Sequence, residues 1–313
     1  MRHFLRDDDL TPSEQSAVLD RAMALKAQPF SQRPLEGPRA VAMIFDKPTL
    51  RTQLSFSVGI AQLGGFPMAV DGGLAQIGTR ESIPDVARVV GRQVAALVWR
   101  TYDQKRLEEM AAHVGVPVVN ALSDDFHPCQ ILADLLTIRE HQGELGGLTM
   151  AYVGDAANNM AASYLLGGTT AGMHVRVAGP PSHQPPAEVL DRAHEIATQT
   201  GGSVMVTDDP VAAVMGADVV ITDTWVSMGA EHETQQRKGE GSPFTKFSLD
   251  QELVSHAAPA ATVLHCLPAY RGYEISAEVL DGPQSAVWDE AENRLHVQKA
   301  LLAQLLEWHK DAT

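Results

Sequence analysis

Ala261-Thr262-Val263-Leu264-His265-Cys266-Leu267-Pro268 is an apolar run that ends in an imidazole, a thiol and a proline. A short apolar run closed by proline reads as a strand buried on both faces, the form strands take in parallel α/β sheets. Ligands of such sheets bind in the crevice beyond the carboxyl ends of the strands, so Cys266 stands where a substrate would be met. A single His-Cys pair is more often a satisfied core pair than a site, and its weight here comes from the segments that accompany it.

The chain has 313 residues, 44% hydrophobic and 20% charged, which is enough for two ordinary domains with cores. Its formal net charge of −15 argues against nucleic acid or an anionic membrane as the main partner. An anionic substrate would therefore need local cations. Cys129 and Cys266 are the only cysteines, and neither lies in a spacing that cages zinc, so the expectation is no metal and no disulfide. That usage suits a reducing compartment. Residues 1–9 carry charges where a secretory signal has its apolar core, and no run approaches the ~20 apolar residues of a membrane span. The expected location is the cytoplasm.

Outward from 261–268, short apolar runs alternate with helical patterns along the whole chain, as in parallel sheets flanked by helices. The first half predicts strands at 40–45, 67–71, 95–100 and 116–121, and the second half at 149–154, 174–178, 203–207, 218–223 and 262–266. Residues 129–142 have helical spacing and end at Gly143, Gly146 and Gly147. The expected division is thus a first domain over 1–142 and a second over 143–290. A last amphipathic helix over 291–310, with no strand after it, would pack back on the first domain. Residues 180–186, rich in proline, and 231–243, rich in polar residues and glycine, read as loops, the second as a candidate lid.

Chemistry gathers at the predicted strand ends. Phe45-Asp46-Lys47-Pro48-Thr49-Leu50-Arg51-Thr52-Gln53 follows the first strand and opens a helix predicted over 54–63. Free N–H groups at a helix N-terminus, two threonine hydroxyls and the Arg51 fork make a phosphate cradle, although taken alone such a turn is more often plain N-capping. Arg100 ends another strand. His127-Pro128-Cys129-Gln130 puts an imidazole and a carboxamide three residues apart, able to face one small carbonyl compound. In the second half, Gly154-Asp155-Ala156-Ala157-Asn158-Asn159-Met160 lacks the glycine pattern of a dinucleotide loop, which argues against a nicotinamide cofactor. Asp223-Thr224-Trp225-Val226-Ser227-Met228-Gly229 offers a carboxylate suited to a substrate ammonium, or alternatively a helix N-cap. Arg294 starts the last helix within reach of the same chemistry, if it is not simply solvated.

Taken in order, Thr49-Leu50-Arg51-Thr52-Gln53, His127-Pro128-Cys129-Gln130 with Leu132-Ala133-Asp134, and His265-Cys266-Leu267-Pro268 resemble the motifs of the aspartate/ornithine carbamoyltransferase family. The segment from Asp223 to Gly229 resembles the Asp-x-x-x-Ser-Met-Gly loop of its ornithine branch. The resemblance implies a two-domain α/β protein whose active site lies in the cleft between the domains. It implies that Thr49, Leu50 through its backbone, Arg51 and Thr52 grip the phosphate of carbamoyl phosphate. Gln76, Arg100, His127, Gln130, Cys266, Leu267 and Arg294 would surround the carbamoyl group. Asn159, Asp223, Ser227 and Met228 would hold L-ornithine. It implies a homotrimer in arginine biosynthesis, with no cofactor.

Two departures from the family pattern bear on the acceptor. Leu50 stands where the family has a threonine, which removes one hydrogen bond worth of order 1 kcal/mol, and Gln53 stands where it has an arginine. The Pro-x-Leu-Arg-Thr order resembles the branch that acts on N-acylated ornithine, whereas the Ser-Met-Gly loop and Ala269-Tyr270-Arg271-Gly272 favour ornithine itself. A non-catalytic relative and another diamino acid acceptor remain as alternatives. The expected reaction is direct attack of the δ-amine on the carbamoyl carbon, with Arg100 and His127 facing the carbonyl oxygen and Asp223 and Cys266 positioning the amine. No nucleophilic role is expected for Cys266.

Overall fold

The computed structural model describes residues 1–226 and 231–311. The chain forms two compact units, Met1–Ala133 with Glu292–Thr313, and Asp134–Ala291.

The first unit holds a parallel sheet in the order β2-β1-β3-β4, made of β1 (Ala40–Phe45), β2 (Phe66–Asp71), β3 (Ala96–Arg100) and β4 (Val118–Leu122). Its helices are α1 (Pro12–Ala27), α2 (Arg51–Gln62), α3 (Gly72–Ala75), α4 (Ile83–Val90) and α5 (Gln104–Val114). The second unit holds a parallel sheet in the order β7-β6-β5-β8-β9, made of β5 (Thr149–Val153), β6 (His174–Ala178), β7 (Ser203–Thr207), β8 (Val219–Thr222) and β9 (Thr262–His265). The accompanying helices are α7 (Asn159–Thr170), α8 (Ala187–Thr200), α9 (Pro210–Val214), α10 (Thr234–Lys238), α11 (Gln251–Val254) and α12 (Ala277–Leu280). The unit boundaries fall inside α6 (Pro128–Gln142) and α13 (Val287–Asp311). The expected fold class of parallel sheets flanked by helices is thus the observed one.

Every residue of β3, β4, β8 and β9 is buried: β3 and β8 lie inside their sheets, and the edge strands β4 and β9 are flanked by the bridges Phe4–Val119 and Val263–Ser285. Fully burying one of their valine or leucine side chains contributes roughly 1.5–3 kcal/mol. Edge strand β2 is the contrast, with Phe66 and Met68 exposed. The far edge of the first sheet is covered by the N-terminal residues. Phe4 forms a parallel bridge to Val119, donating to the Val118 carbonyl and accepting from Asn120 N–H, both at 2.8 Å.

Helix starts follow the capping chemistry of the sequence. Thr11 and Glu14 form a reciprocal box at α1, and Ser82, Asp103, Asn158, Asp209, Asp250 and Ser276 each accept a backbone N–H at the start of their helices. Helix α2 differs, for Leu50 at its N-cap supplies no side-chain hydrogen bond. It also starts at Arg51 rather than at the expected residue 54, and α13 starts at Val287 rather than at 291. Apolar periodicity does not register a polar first turn. Part of the expected loop at 231–243 is helical, as α10.

Helix α13 is pinned within the first unit by one buried cation. Lys299 Nζ donates to the carbonyls of Leu25 at 3.1 Å and Pro29 at 3.4 Å and to Gln62 Oε1 at 2.7 Å. Three acceptors are what a buried ammonium needs. Leu295 of α13 packs on Gly59 of α2, its Cδ1 3.4 Å from where a Cβ would stand, an ordinary van der Waals distance, and the neighbouring Arg294 reaches Thr52 at the start of α2.

Gly91, which ends α4, is a position where only the absence of a side chain fits. An added Cβ would lie 1.6 Å from the Val114 carbonyl oxygen at the end of α5, an atom of the backbone that cannot rotate away. Gly91→Ala is expected to cost about 1–3 kcal/mol through displacement of α4 from α5, read as a lower midpoint in urea unfolding. An unchanged midpoint would show that the two helices are not held in this contact.

Candidate active site

In the first unit the turns after β1 and β3 are braced by one carboxylate. Asp46 Oδ2 accepts from Trp99 Nε1 at 3.0 Å, Thr101 Oγ1 at 2.6 Å and Arg106 Nη2 at 3.3 Å. Lys47, buried beside the Tyr102 ring, pairs with Asp124. Motif reading quoted Asp46 and Lys47 without giving them work, and neither Thr101 nor Arg106 lies in a motif. Their signal is the network itself, which fixes the ends of two strands from which Arg51 and Arg100 emerge.

His127 shows where the cations gather. Its ring is buried, and its pKa is pushed well below the usual 6.5, first by loss of solvent and then by the Arg294, Arg100 and Arg51 guanidiniums. The imidazole is therefore neutral at physiological pH and keeps one N–H to donate. Arg100, Arg294, Gln130 and Thr52 are all buried, and Arg294 Nη2 donates to Thr52 Oγ1 at 2.6 Å. Thr49 and Arg51 are half-buried at the uncapped start of α2, so free N–H groups, the positive end of the helix and three guanidiniums coincide. Within a protein of net charge −15, such a concentration of buried positive charge is suited to a small dianion.

Leu50, Gln76 and the motif residue Cys129 have different surroundings. The Leu50 side chain is exposed, leaving only its backbone to contribute. Gln76 is exposed on the turn after α3 with φ of 50°. Cys129 is buried with its thiol on the Asn120 carbonyl at 3.3 Å, and burial pushes its pKa up to about 12, so it is a core thiol.

The second unit presents an acidic counterpart. Asp223, just beyond β8, accepts from the Cys266 thiol at 3.1 Å and from Asn158 Nδ2 at 3.4 Å. No helix follows Asp223 directly, so the N-cap alternative does not apply among the described residues. Burial raises the Asp223 pKa, and it pushes the Cys266 thiol well above 9.0, helped by the negative charges of Asp223 and Glu290. Cys266 is thus a protonated hydrogen-bond donor and not a thiolate nucleophile. Asn158 also caps α7 and donates to the Tyr152 hydroxyl at 3.0 Å, while Asn159, half-buried, opens the helix. Ser227 and Met228 lie outside the described residues.

Sequence reading missed the anchor of this region. Arg237 on α10 pairs with Asp155 and donates to the Trp225 carbonyl at 2.8 Å and to Glu233 at 2.6 Å. Asp155 in turn accepts Ala157 N–H at 3.1 Å, so one guanidinium ties the turn carrying Asn158 and Asn159 to the segment that follows Asp223. Ligand atoms of Asp223, His265 and Cys266 lie within 4.8 Å of one another, a donor set that could accept a soft cation. As found, the thiol is engaged with Asp223, and His265 Nδ1 accepts the Leu267 N–H at 2.9 Å. Leu267 has φ of 56°, which for a leucine costs of order 1–2 kcal/mol and persists only where the surroundings hold it.

These features define a carbamoyl-transfer class of α/β protein, and comparison with known proteins agrees. Residues 2–140 match the carbamoyl-P binding domain of aspartate/ornithine carbamoyltransferases, and residues 146–305 match the Asp/Orn binding domain. The chain is 63% identical over 305 residues to an ornithine carbamoyltransferase of Clavibacter sepedonicus, covering 97% of this chain and 98% of the relative. It is 59% identical to one of Renibacterium salmoninarum, covering 98% and 99%. The solved ornithine carbamoyltransferase of Pyrococcus furiosus superposes with a TM-score of 0.92 at 44% identity, over 96% of both chains. The chain belongs to the aspartate/ornithine carbamoyltransferase family.

Two outcomes follow from the charges. Inorganic phosphate at about 10 mM is expected to raise the thermal midpoint by roughly 2 °C or more, and Arg51→Ala to remove most of that rise. An equal rise in the variant would mean that the anion binds elsewhere. In native protein at pH 8, iodoacetamide is expected to leave both cysteines largely unmodified, because neither is a thiolate there, and to label both in urea. Rapid native labelling of Cys266 would contradict the protonated donor.

Proposed function

We propose that the protein transfers the carbamoyl group of carbamoyl phosphate to the δ-amine of L-ornithine, giving L-citrulline and phosphate. The observation that carries this reading is the neutral His127 ringed by Arg51, Arg100 and Arg294, an arrangement that calls for a compact dianion with a polar carbonyl group. Thr49, Leu50 N–H, Arg51 and Thr52 take the phosphate. Gln76, Arg100, His127, Gln130, Leu267 and Arg294 attend the carbamoyl group. Asp223 and Cys266, with Asn159, Ser227 and Met228, hold the amino acid.

In the reaction the amine lone pair forms the new C–N bond, the carbonyl oxygen takes up negative charge, and, as the carbonyl re-forms, the bond from the carbamoyl carbon to the bridging oxygen breaks and phosphate leaves with that oxygen. Arg100 and the neutral His127 N–H, fixed before the substrate arrives, stabilise that oxygen, and one such donor is worth about 3–4 kcal/mol. An ammonium cannot attack. Asp223, whose raised pKa makes it a better proton acceptor than an ordinary carboxylate, draws the amine into place and takes its proton as Cys266 donates to the same carboxyl group. Holding both reactants in line supplies the remaining advantage.

Full-length relatives named for ornithine favour ornithine over its N-acylated form. The Leu50 and Gln53 departures are what the acceptor test addresses. A place in arginine biosynthesis follows from the product. Two free thiols suit a cytoplasmic setting, and no helix among the described residues is long and apolar enough to cross a membrane. For a homotrimer, the support is an exposed apolar row of Leu50, Leu54 and Val58 on α2, with Phe66 and Met68 on the neighbouring edge strand β2.

The acceptor assay compares ornithine, N-acetylornithine, lysine, putrescine and 2,3-diaminopropionate at saturating carbamoyl phosphate. Ornithine is expected to lead in kcat/KM by about 10²-fold or more. A lead for N-acetylornithine would replace the acceptor, and no turnover with any of the five would favour a non-catalytic relative.

A further inference from the structure

We propose that His265 is a positioning residue: its Nδ1 accepts the backbone N–H of Leu267 and holds that residue in its left-handed conformation, while Glu274 keeps the ring proton on Nε2. This deepens the carbamoyl-transfer reading, on which the functional importance of Leu267 rests. It gives His265, the first residue of the late motif, work distinct from proton transfer or substrate contact.

The tautomer follows from the partners. A peptide N–H can only donate, so at 2.9 Å from Leu267 N the Nδ1 atom is the acceptor and carries no proton. The proton is then on Nε2, which faces Glu274 Oε1 at 3.3 Å. The same carboxyl oxygen accepts Tyr270 N–H at 2.5 Å. Glu274 is fully buried, and its other oxygen has no hydrogen-bond partner among the described residues, so what the carboxyl group does for the fold is concentrated at Oε1. His265 is fixed from its backbone as well, for its N–H donates to Glu290 Oε2 at 2.8 Å.

With Nδ1 occupied by Leu267 and Nε2 turned to Glu274, the ring cannot take the amine proton without releasing Leu267. Among the described residues only Leu267 and Gln76 combine a side chain with positive φ. Leu267 has an acceptor two residues upstream that is aimed at its N–H. The turn is thereby set before substrate arrives, with Leu267 directed by one hydrogen bond and the ring directed by Glu274.

The test uses the full chain with two substitutions that each keep one half of the ring's work. In His265→Asn the carboxamide oxygen stands near the place of Nδ1 and can accept Leu267 N–H as an Asx turn, so kcat and the pH profile are expected to stay within about threefold of the parent. In His265→Gln the carboxamide reaches towards Glu274 and no longer accepts the Leu267 N–H, and kcat/KM for carbamoyl phosphate is expected to fall on the order of 10²-fold with a much smaller change in the KM for ornithine. The reverse ranking, or a limb of the pH profile lost in the asparagine variant, overturns the proposal.

Should neither variant fold, long-range 15N–1H spectra of the imidazoles in the parent protein decide. At pH 8 the neutral ring of His265 is expected to carry its proton on Nε2, and the Nδ1–H tautomer would sink the idea. Because the spectra need no turnover, a protein that failed to make citrulline would refute the functional reading, and the tautomer would still be decided separately by the spectra.

Discussion

The hydrogen bond from Arg294 to Thr52 closes a ring of positive charge that the rest of the first unit is built to withstand. Three guanidiniums that act on one desolvated imidazole also repel one another, the more so where water is scarce. Such an arrangement holds only on a stiff frame. Asp46 ties the ends of β1 and β3, and Lys299 fixes α13 against α1 and α2. The repulsion is also what makes the site useful, since an incoming dianion relieves it and the protein has no need to reorganise as charge develops.

The second unit solves the opposite problem. Asp223 and Cys266 share a proton-bearing contact, and burial first, with Glu274 acting on the carboxylate and Asp223 and Glu290 on the thiol, keeps the thiol protonated and makes the carboxylate more basic than usual. In the proposed reaction, a cationic amine entering there would gain an ion pair and meet a group able to accept its proton. The acidic balance of the chain as a whole thus has a local meaning: the amino-acid half of the chemistry wants carboxyl groups, and the phosphate half supplies its own cations.

The nine strands among the described residues were legible as short apolar runs, most clearly where they are fully buried, as in β3, β4, β8 and β9, and their ends agree with the sequence reading to within two residues. The first turn of α2 was not legible, since Arg51, Thr52 and Gln53 carry no apolar stripe and the N-cap position is a leucine. Motif residues Arg51, Arg100, His127 and Arg294 could be named from order along the chain, but that their charges act on one imidazole is a fact of three dimensions. Glu274 shows the limit most plainly. It lies nine residues beyond His265 with no periodic relation to it, and only the turn through Tyr270 brings the two together. Arg237 fell in a stretch read as loop because glutamine, lysine and glycine dominate it, although its side chain fastens that stretch to Asp155.

The N-terminal residues that ride along β4 give the first sheet a direction of vulnerability. With Phe4 occupying the amide and carbonyl groups of that flank, no foreign strand can add there without first evicting it, whereas β2 still offers its outer amides to whatever arrives. Lateral growth is consequently one-sided. Trimming the first handful of residues would expose a second sticky border and convert a sheet with a single open side into one able to propagate in both directions.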